Sequence, residues 1–187
     1  MSFHNKVIWI TGASSGIGKA LAQELSYQNA LLIISARDKN SLEMVRELCK
    51  NPKNVWIIPL DLEKDSTFNE ITQRAVNVFG RIDVLVNNAG WALWGCVEDV
   101  SVDEFKAQFD TNFFSIIRLI QEVGPTMRKQ GSGTIVNVSS VVGRIGFPAS
   151  PAYISSKFAL EGLSESLRFE LAPFGVNVVI IEPGVIK

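Results

Sequence analysis

Six short runs of β-branched and aliphatic residues punctuate the 187-residue chain: Lys6–Ile10, Leu31–Ser35, Val55–Ile58, Val84–Val86, Thr134–Val138 and Val176–Ile181. Each is apolar nearly throughout rather than alternating, and a strand with no polar face belongs in a sheet covered on both sides. Between the runs lie stretches with helical spacing, such as Phe68, Ile71, Ala75, Val78 and Phe79, or Phe158, Leu160, Leu163, Leu167 and Leu171. Strand alternating with helix predicts a parallel, doubly wound sheet in a three-layer α/β/α arrangement. Ser101 followed by Glu104 predicts a capping box ahead of the helix that carries Phe105, Phe109 and Phe113. Asn29 is suited to end the first helix, because asparagine tolerates the left-handed conformation. No repeat, low-complexity tract or linker composition divides the chain, so residues 1–187 are expected to form one domain.

Composition excludes several classes of function. With Lys+Arg 18 against Asp+Glu 19, a net charge of -1 and no basic run, nothing favours a nucleic-acid backbone or an anionic membrane surface as partner. No apolar run approaches the roughly 20 residues of a spanning helix. Only Val7 to Ile10 separate the N-terminal Met-Ser-Phe-His-Asn-Lys from Thr11-Gly12, too few for a signal-peptide core. Cys49 and Cys96 fit neither a zinc spacing nor a disulfide framework. The expectation is a cytoplasmic protein without a metal site.

The first strand runs into Thr11-Gly12-Ala13-Ser14-Ser15-Gly16-Ile17-Gly18, and a helix containing Ala20, Leu21 and Leu25 follows. Strand, glycine-rich turn and helix in this order suit a dinucleotide. Gly12 permits the tight turn, Gly16 lets backbone N–H groups approach a pyrophosphate, and Gly18 lets the helix pack on the sheet with its positive dipole end towards the phosphates. The spacing is G-x-x-x-G-x-G, not G-x-G-x-x-G.

A Thr-Gly-Ala-Ser-Ser-Gly-Ile-Gly turn, a later Asn87-Asn88-Ala89-Gly90, a serine and Tyr153-x-x-x-Lys157 together resemble the short-chain dehydrogenase/reductase family over the whole chain. The resemblance implies a Rossmann fold and a nicotinamide cofactor, with Ser14, Ser15 and Ile17 joining the glycines of the turn around it. In a dinucleotide fold an acid after the second strand holds the ribose 2′-hydroxyl, whereas an arginine accommodates a 2′-phosphate. Where NAD-preferring members carry Asp, this chain has Ala36, followed by Arg37. The missing carboxylate removes a repulsion and the guanidinium offers a planar double donor, so NADP(H) is expected ahead of NAD(H). The plainer alternative makes Arg37 an ordinary strand-end arginine and Asp38 a helix cap. Asp61-Leu62 resemble the family's adenine site, and Asn88-Ala89-Gly90 the turn beside the adenine ribose; amides in such a turn also serve as backbone caps.

Tyr153 and Lys157, four apart at the start of a helix, share one face. A free phenol, with a pKa near ~10, is a poor base at neutral pH, but an ammonium held beside it favours the phenolate. Tyr153 is thus the expected general acid/base, and by resemblance Lys157 also binds the nicotinamide ribose. Ser140, thirteen residues before Tyr153, matches the family serine that polarises the carbonyl, with Ser139 the less favoured neighbour. Asn112 matches the asparagine whose bound water links the lysine to solvent, and an asparagine among Phe109, Phe113 and Phe114 needs a partner for its amide. Pro183-Gly184 resemble the turn beside the nicotinamide carboxamide. Family members usually continue with a threonine, a substrate lid, two helices and a seventh strand, so the resemblance implies a C-terminally truncated family fold of six strands ending at Lys187.

The inferred reaction is hydride transfer between nicotinamide and a carbonyl or secondary-alcohol carbon. Trp91, Leu93, Trp94, Val141, Val142, Phe147 and Pro148 would suit an apolar or bulky substrate, although Trp91 and Trp94 could equally be packing residues. An acyl-thioester ketone, a steroid or retinoid, a sugar and a xenobiotic carbonyl all stay open. Apolar residues exceed a single stripe on the helices near Ser101–Gln130 and Pro151–Phe174, which family members pair across a two-fold axis; a homodimer or homotetramer is expected. The rival reading is a non-catalytic NADP-binding sensor or scaffold on the same fold.

Overall fold

A computed structural model describes residues 2–64 and 68–185. Six strands, β1 (Val7–Thr11), β2 (Leu31–Ser35), β3 (Val55–Ile57), β4 (Val84–Asn87), β5 (Gly133–Val138) and β6 (Val176–Ile181), form one sheet in the order β3-β2-β1-β4-β5-β6. Every neighbouring pair is parallel, with Trp9 level with Ile33 and Leu85, and Val136 level with Val86 and Val179. Six α-helices connect or flank the strands: α1 (Gly16–Tyr27), α2 (Lys39–Leu48), α3 (Phe68–Phe79), α4 (Val102–Phe109), α5 (Ser115–Gln130) and α6 (Pro151–Leu171).

Side chains along a strand alternate between faces, and the apolar runs divide accordingly. Val7, Trp9, Ile33, Leu85, Ile135 and Val178 pack under α3, α5 and α6, against Ile71, Ala75, Leu119, Val123, Met127 and Leu160. Ile8, Ile10, Leu32, Ile34 and Val86 form the second layer with Ala22 and Leu25 of α1 and Leu42 and Val45 of α2. The expected double covering holds for β1, β2 and β4 but not for the edge strands: in β3 Trp56 is 46% exposed, and in β6 Val176 and Val178 are buried while Val179 and Ile181 are 37% and 45% exposed.

The predicted boundaries survive with small changes. Asn29 adopts φ 57 just beyond α1, and Ser101 with Glu104 makes the capping box of α4. The single helix expected from Ser101 to Gln130 is instead interrupted by a π-helical turn at Asp110–Phe114, and the last turn of the expected Pro151–Phe174 helix is a 3-10 turn at Ala172–Phe174. Strand order reverses direction between β1, which leads out to β2 and β3, and β4, which leads out to β5 and β6. Ligands in open α/β sheets bind beyond the strand C-termini at such a point.

Candidate active site

The glycine-rich turn leaves the end of β1 at this reversal. Gly12 has φ +64, and a Cβ there would stand 2.7 Å from Ala89 Cα; one at Gly18 would strike Gly12 O and Asn88 Nδ2. Both positions therefore exclude a side chain. Gly16 has φ +50 and open space where its Cβ would be, so backbone N–H groups at the start of α1 face outwards without a side-chain cap from Ser15. Thr11 ties the turn to its neighbour: its hydroxyl donates to Val86 O at 3.2 Å and accepts from Asn88 N and Ala89 N. Asn88 Nδ2 donates in return to Thr11 O and Gly12 O. Asn87 Nδ2 donates to Asn137 Oδ1, whose own Nδ2 donates to Ser164 Oγ, a buried ladder across β4, β5 and α6. The side-chain amides of the Asn-Asn-Ala-Gly turn thus serve the backbone and the sheet.

A cleft of about 600 Å³ opens beyond these strand ends. Its walls bring together Gly12, Ser14, Ser15, Gly16, Ile17, Arg37, Asp61, Leu62, Asn88, Ala89 and Gly90, every residue expected around the phosphate and adenosine parts of a dinucleotide except the packed Gly18. Arg37 is exposed, its guanidinium only 3.9 Å from Glu63. Asp38 caps α2, accepting from Asn40 N at 3.0 Å and Ser41 N at 3.2 Å. The Ser41 hydroxyl, and after it the Asn40 amide, hold its carboxyl below the usual range. Asp61 turns one carboxylate oxygen to Glu63 N and the other towards Lys64.

Ile17, Asn88, Gly90 and Trp91 also line a second cleft of about 250 Å³, which continues past Ser139, Ser140, Tyr153, Lys157, Pro183 and Gly184. Pro151 opens α6 at its first position, where the missing N–H is no loss, and the helix presents Tyr153 and Lys157 on one face. Lys157 Nζ stands 5.6 Å from the Tyr153 ring centroid and donates to Val138 O at 2.8 Å. Burial lowers the pKa of this amine from 10.5 to about 8, with the Glu161 carboxylate opposing the shift. Ser140 Oγ accepts from Val142 N at 3.4 Å across the 3-10 turn Val141–Gly143. Ser139 Oγ instead lies under Gly143, 2.8 Å from where a Cβ would be, buried and without a hydrogen-bond partner in the protein.

Asn112 sits in the π-helical turn, fully buried. Its Oδ1 accepts from Trp91 N at 3.1 Å and its Nδ2 donates to Trp91 O at 2.9 Å, the partner its aromatic surroundings demanded. Gln108, four residues earlier, was not among the expected site residues. It is also fully buried, donates to Trp91 O at 2.7 Å and accepts from Leu93 N at 2.7 Å. Two amides on successive turns therefore hold the strip Trp91–Leu93, and a second side-chain amide four residues before Asn112 was the available signal. Trp91 and Trp94 are 38% and 67% exposed, so neither is core. Arg144 and Glu161, paired at 3.3 Å behind Lys157, were likewise missed. Among the described residues no group of carboxylates, cysteines and histidine could hold a metal ion, both cysteines are unpaired, and no helix is long and apolar enough to cross a membrane.

The architecture is that of an α/β protein of the Rossmann type, with its cleft at the strand-order reversal. Residues 6–187 match the family model described as short chain dehydrogenase, and the chain belongs to that family, whose members are oxidoreductases using nicotinamide cofactors. An uncharacterized oxidoreductase of Bacillus subtilis, YusZ, is 42% identical over 98% of the chain. A short-chain dehydrogenase from Streptomyces avermitilis superimposes with a TM-score of 0.94 at 37% identity over 98% of the chain. An alcohol dehydrogenase from Thermococcus sibiricus, complexed with 5-hydroxy-NADP, gives 0.91 at 29% identity, covering 98% of this chain and 77% of that one. The chain spans 66% of the length of the Bacillus relative and of the Streptomyces protein.

Proposed function

We propose that the protein is an NADP(H)-dependent oxidoreductase that interconverts a carbonyl and a secondary alcohol, with Tyr153 as general acid/base. The observation that carries this reading is the continuity of the two clefts, from Arg37 at one end to Ser140, Tyr153 and Lys157 at the other. The glycine cradle at Gly12, Gly16 and Gly18 fits a pyrophosphate, and the Thermococcus relative holding an NADP derivative supports the choice of cofactor. Arg37 has no tight partner to give up, and Asp38 is committed to α2, so no carboxylate there is aimed at a ribose hydroxyl.

When bound, the nicotinamide supplies or accepts the hydride. Ser140 then orients and polarises the substrate oxygen while Tyr153 gives or takes its proton. Lys157, as ammonium, favours the phenolate. Asn112 fixes the Gly90–Trp91 backbone against which the lysine lies, in keeping with a water held there as the proton exit. Trp91, which lines the smaller cleft and is 38% exposed, suits an apolar substrate. We place this chemistry in one cytoplasmic domain. The exposed Val102, Phe114, Phe158 and Phe169 of α4, the π turn and α6 suit a homodimer or homotetramer.

NADPH fluorescence titration followed by a panel of aromatic and aliphatic aldehydes and ketones, monitored by NADPH absorbance, tests the reading. Binding with turnover is expected, and Tyr153→Phe should bind NADPH yet retain under a few per cent of the rate, roughly the 10²–10⁴-fold worth of a positioned acid. Binding without turnover of any carbonyl would favour the sensor or scaffold instead.

A further inference from the structure

Glu161 lies one turn after Lys157 on α6, 5% exposed, and neither of its carboxylate oxygens has a hydrogen-bond partner in the protein. A carboxylate in that position is tolerated only if charge compensates it. Two cations do so. Arg144 Nη2 stands 3.3 Å from Oε2, and Lys157 is close enough for the carboxylate to oppose the discharge of its amine. A Cβ at Gly143 would come within 3.1 Å of Oε1, so the glycine leaves the room the carboxylate occupies.

Arg144 does more than neutralise Glu161. Its Nε donates to Glu182 Oε1 at 3.0 Å and its Nη1 to Glu165 Oε1 at 3.5 Å. Glu182 immediately precedes Pro183-Gly184, Arg144 follows the turn begun by Ser140, and Glu161 and Glu165 belong to α6. One guanidinium therefore joins three of the segments that wall the smaller cleft. We infer that Glu161, held by Arg144, is a positioning residue that sets a buried negative charge one turn behind Lys157 and keeps the Ser140 turn, α6 and the Pro183-Gly184 turn in register.

The role assigned to Glu161 rests on Lys157 acting as the proposed function requires, but its electrostatic part can be measured without turnover. The groups facing the amine are few. Tyr153 and Glu161 come from α6, the Val138 carbonyl from β5, and the Gly90 backbone with the uncharged Asn112 from the opposite wall; Arg144, Glu165 and Glu182 act through Glu161. Removing the carboxylate leaves burial unopposed, so the amine should lose its proton at lower pH.

The experiment follows the Lys157 side chain by ¹³Cε NMR in the cofactor-free protein, its signal assigned by loss in Lys157→Arg. The wild-type amine should titrate near 8, and in Glu161→Gln lower by roughly one pH unit. A change within about 0.3 of a unit overturns the inference, because a merely structural Glu161 would leave the titration where it is. Should Glu161→Gln fail to fold, the half-exposed Arg144→Met decides: losing the guanidinium should move the titration upwards, and no upward movement overturns the inference. A wild-type protein that binds no NADPH would sink the proposed function while leaving this comparison intact. Where turnover is present, the alkaline limb of kcat/KM for NADPH-dependent reduction of 4-nitrobenzaldehyde should move down in Glu161→Gln; a lower rate with an unmoved limb counts against the positioning role.

Discussion

Replacing Lys157 by methionine should make the folded state more stable at neutral pH while removing the proposed proton-transfer function. The amine is 4% exposed, and burial lowers its pKa from 10.5 to about 8. A lysine depressed in the folded state binds fewer protons than its unfolded counterpart between these values, so wild-type stability rises as pH climbs from 8 towards 10.5. At pH 7 the amine is charged in both states and folding bears nearly the whole difference, roughly 3 kcal/mol; by about pH 9.5 the folded amine is mostly neutral and the cost falls to about 1 kcal/mol. Methionine has no such cost, but its introduction forfeits the bond to Val138 O, worth about 1 kcal/mol. The variant should therefore lead by about 2 kcal/mol at pH 7 and lose that lead by about pH 9.5. Urea unfolding of both proteins at the two pH values reads this directly, since all other titrating groups are shared. Parallel stability profiles would refute the reasoning, whatever the absolute offset.

Arg37→Ala should lower kcat/KM with NADPH roughly tenfold or more while leaving NADH within about threefold, as expected for loss of a charge-assisted contact to a 2′-phosphate; a wild-type ratio of NADPH to NADH below one refutes the cofactor choice itself. Gly12→Ala forces a side chain into φ +64 and onto Ala89 Cα at 2.7 Å. It should destabilise the fold by about 1–3 kcal/mol and abolish NADPH binding by fluorescence, and an unaltered titration would rule out the turn as the phosphate site. Light scattering after size exclusion should give a dimer or tetramer mass, with Phe169→Glu, at a position 82% exposed, shifting it towards monomer; a wild-type monomer mass removes the oligomer proposal.

The strands and most helices were legible because their signal is local. An apolar run of five residues flanked by turn residues reads as a buried strand wherever it sits, and Ser101 with Glu104 or Asn29 at a helix end act within one turn of chain. The candidate site was legible for a different reason: its residues carry motif spacing, so Gly12 to Gly18, Asn88 to Gly90 and Tyr153 with Lys157 could be placed by resemblance before any contact was known. What escaped was non-local. Gln108 becomes informative only once the π-helical turn sets it and Asn112 against the same Trp91 backbone. Val179 and Ile181 read as a doubly buried strand because nothing in the run itself says which layer lies over it.

Arg144 and Glu161 stand seventeen residues apart, with no spacing rule to connect them, and their pairing depends on Gly143 lacking a side chain. The same geometry accounts for the unequal treatment of two adjacent serines. Ser140 caps the turn and faces the cleft beside Tyr153, whereas Ser139 Oγ turns inward to the space Gly143 leaves, beside Glu161. A strand end puts successive side chains on opposite sides, and the two hydroxyls diverge accordingly: Ser139 Oγ is buried without a hydrogen-bond partner in the protein, while Ser140 Oγ accepts from Val142 N. The choice between the two serines, made in the sequence from spacing and resemblance, thus meets a physical difference in the fold: one hydroxyl is enclosed beneath Gly143 and the other is engaged with the turn at the cleft.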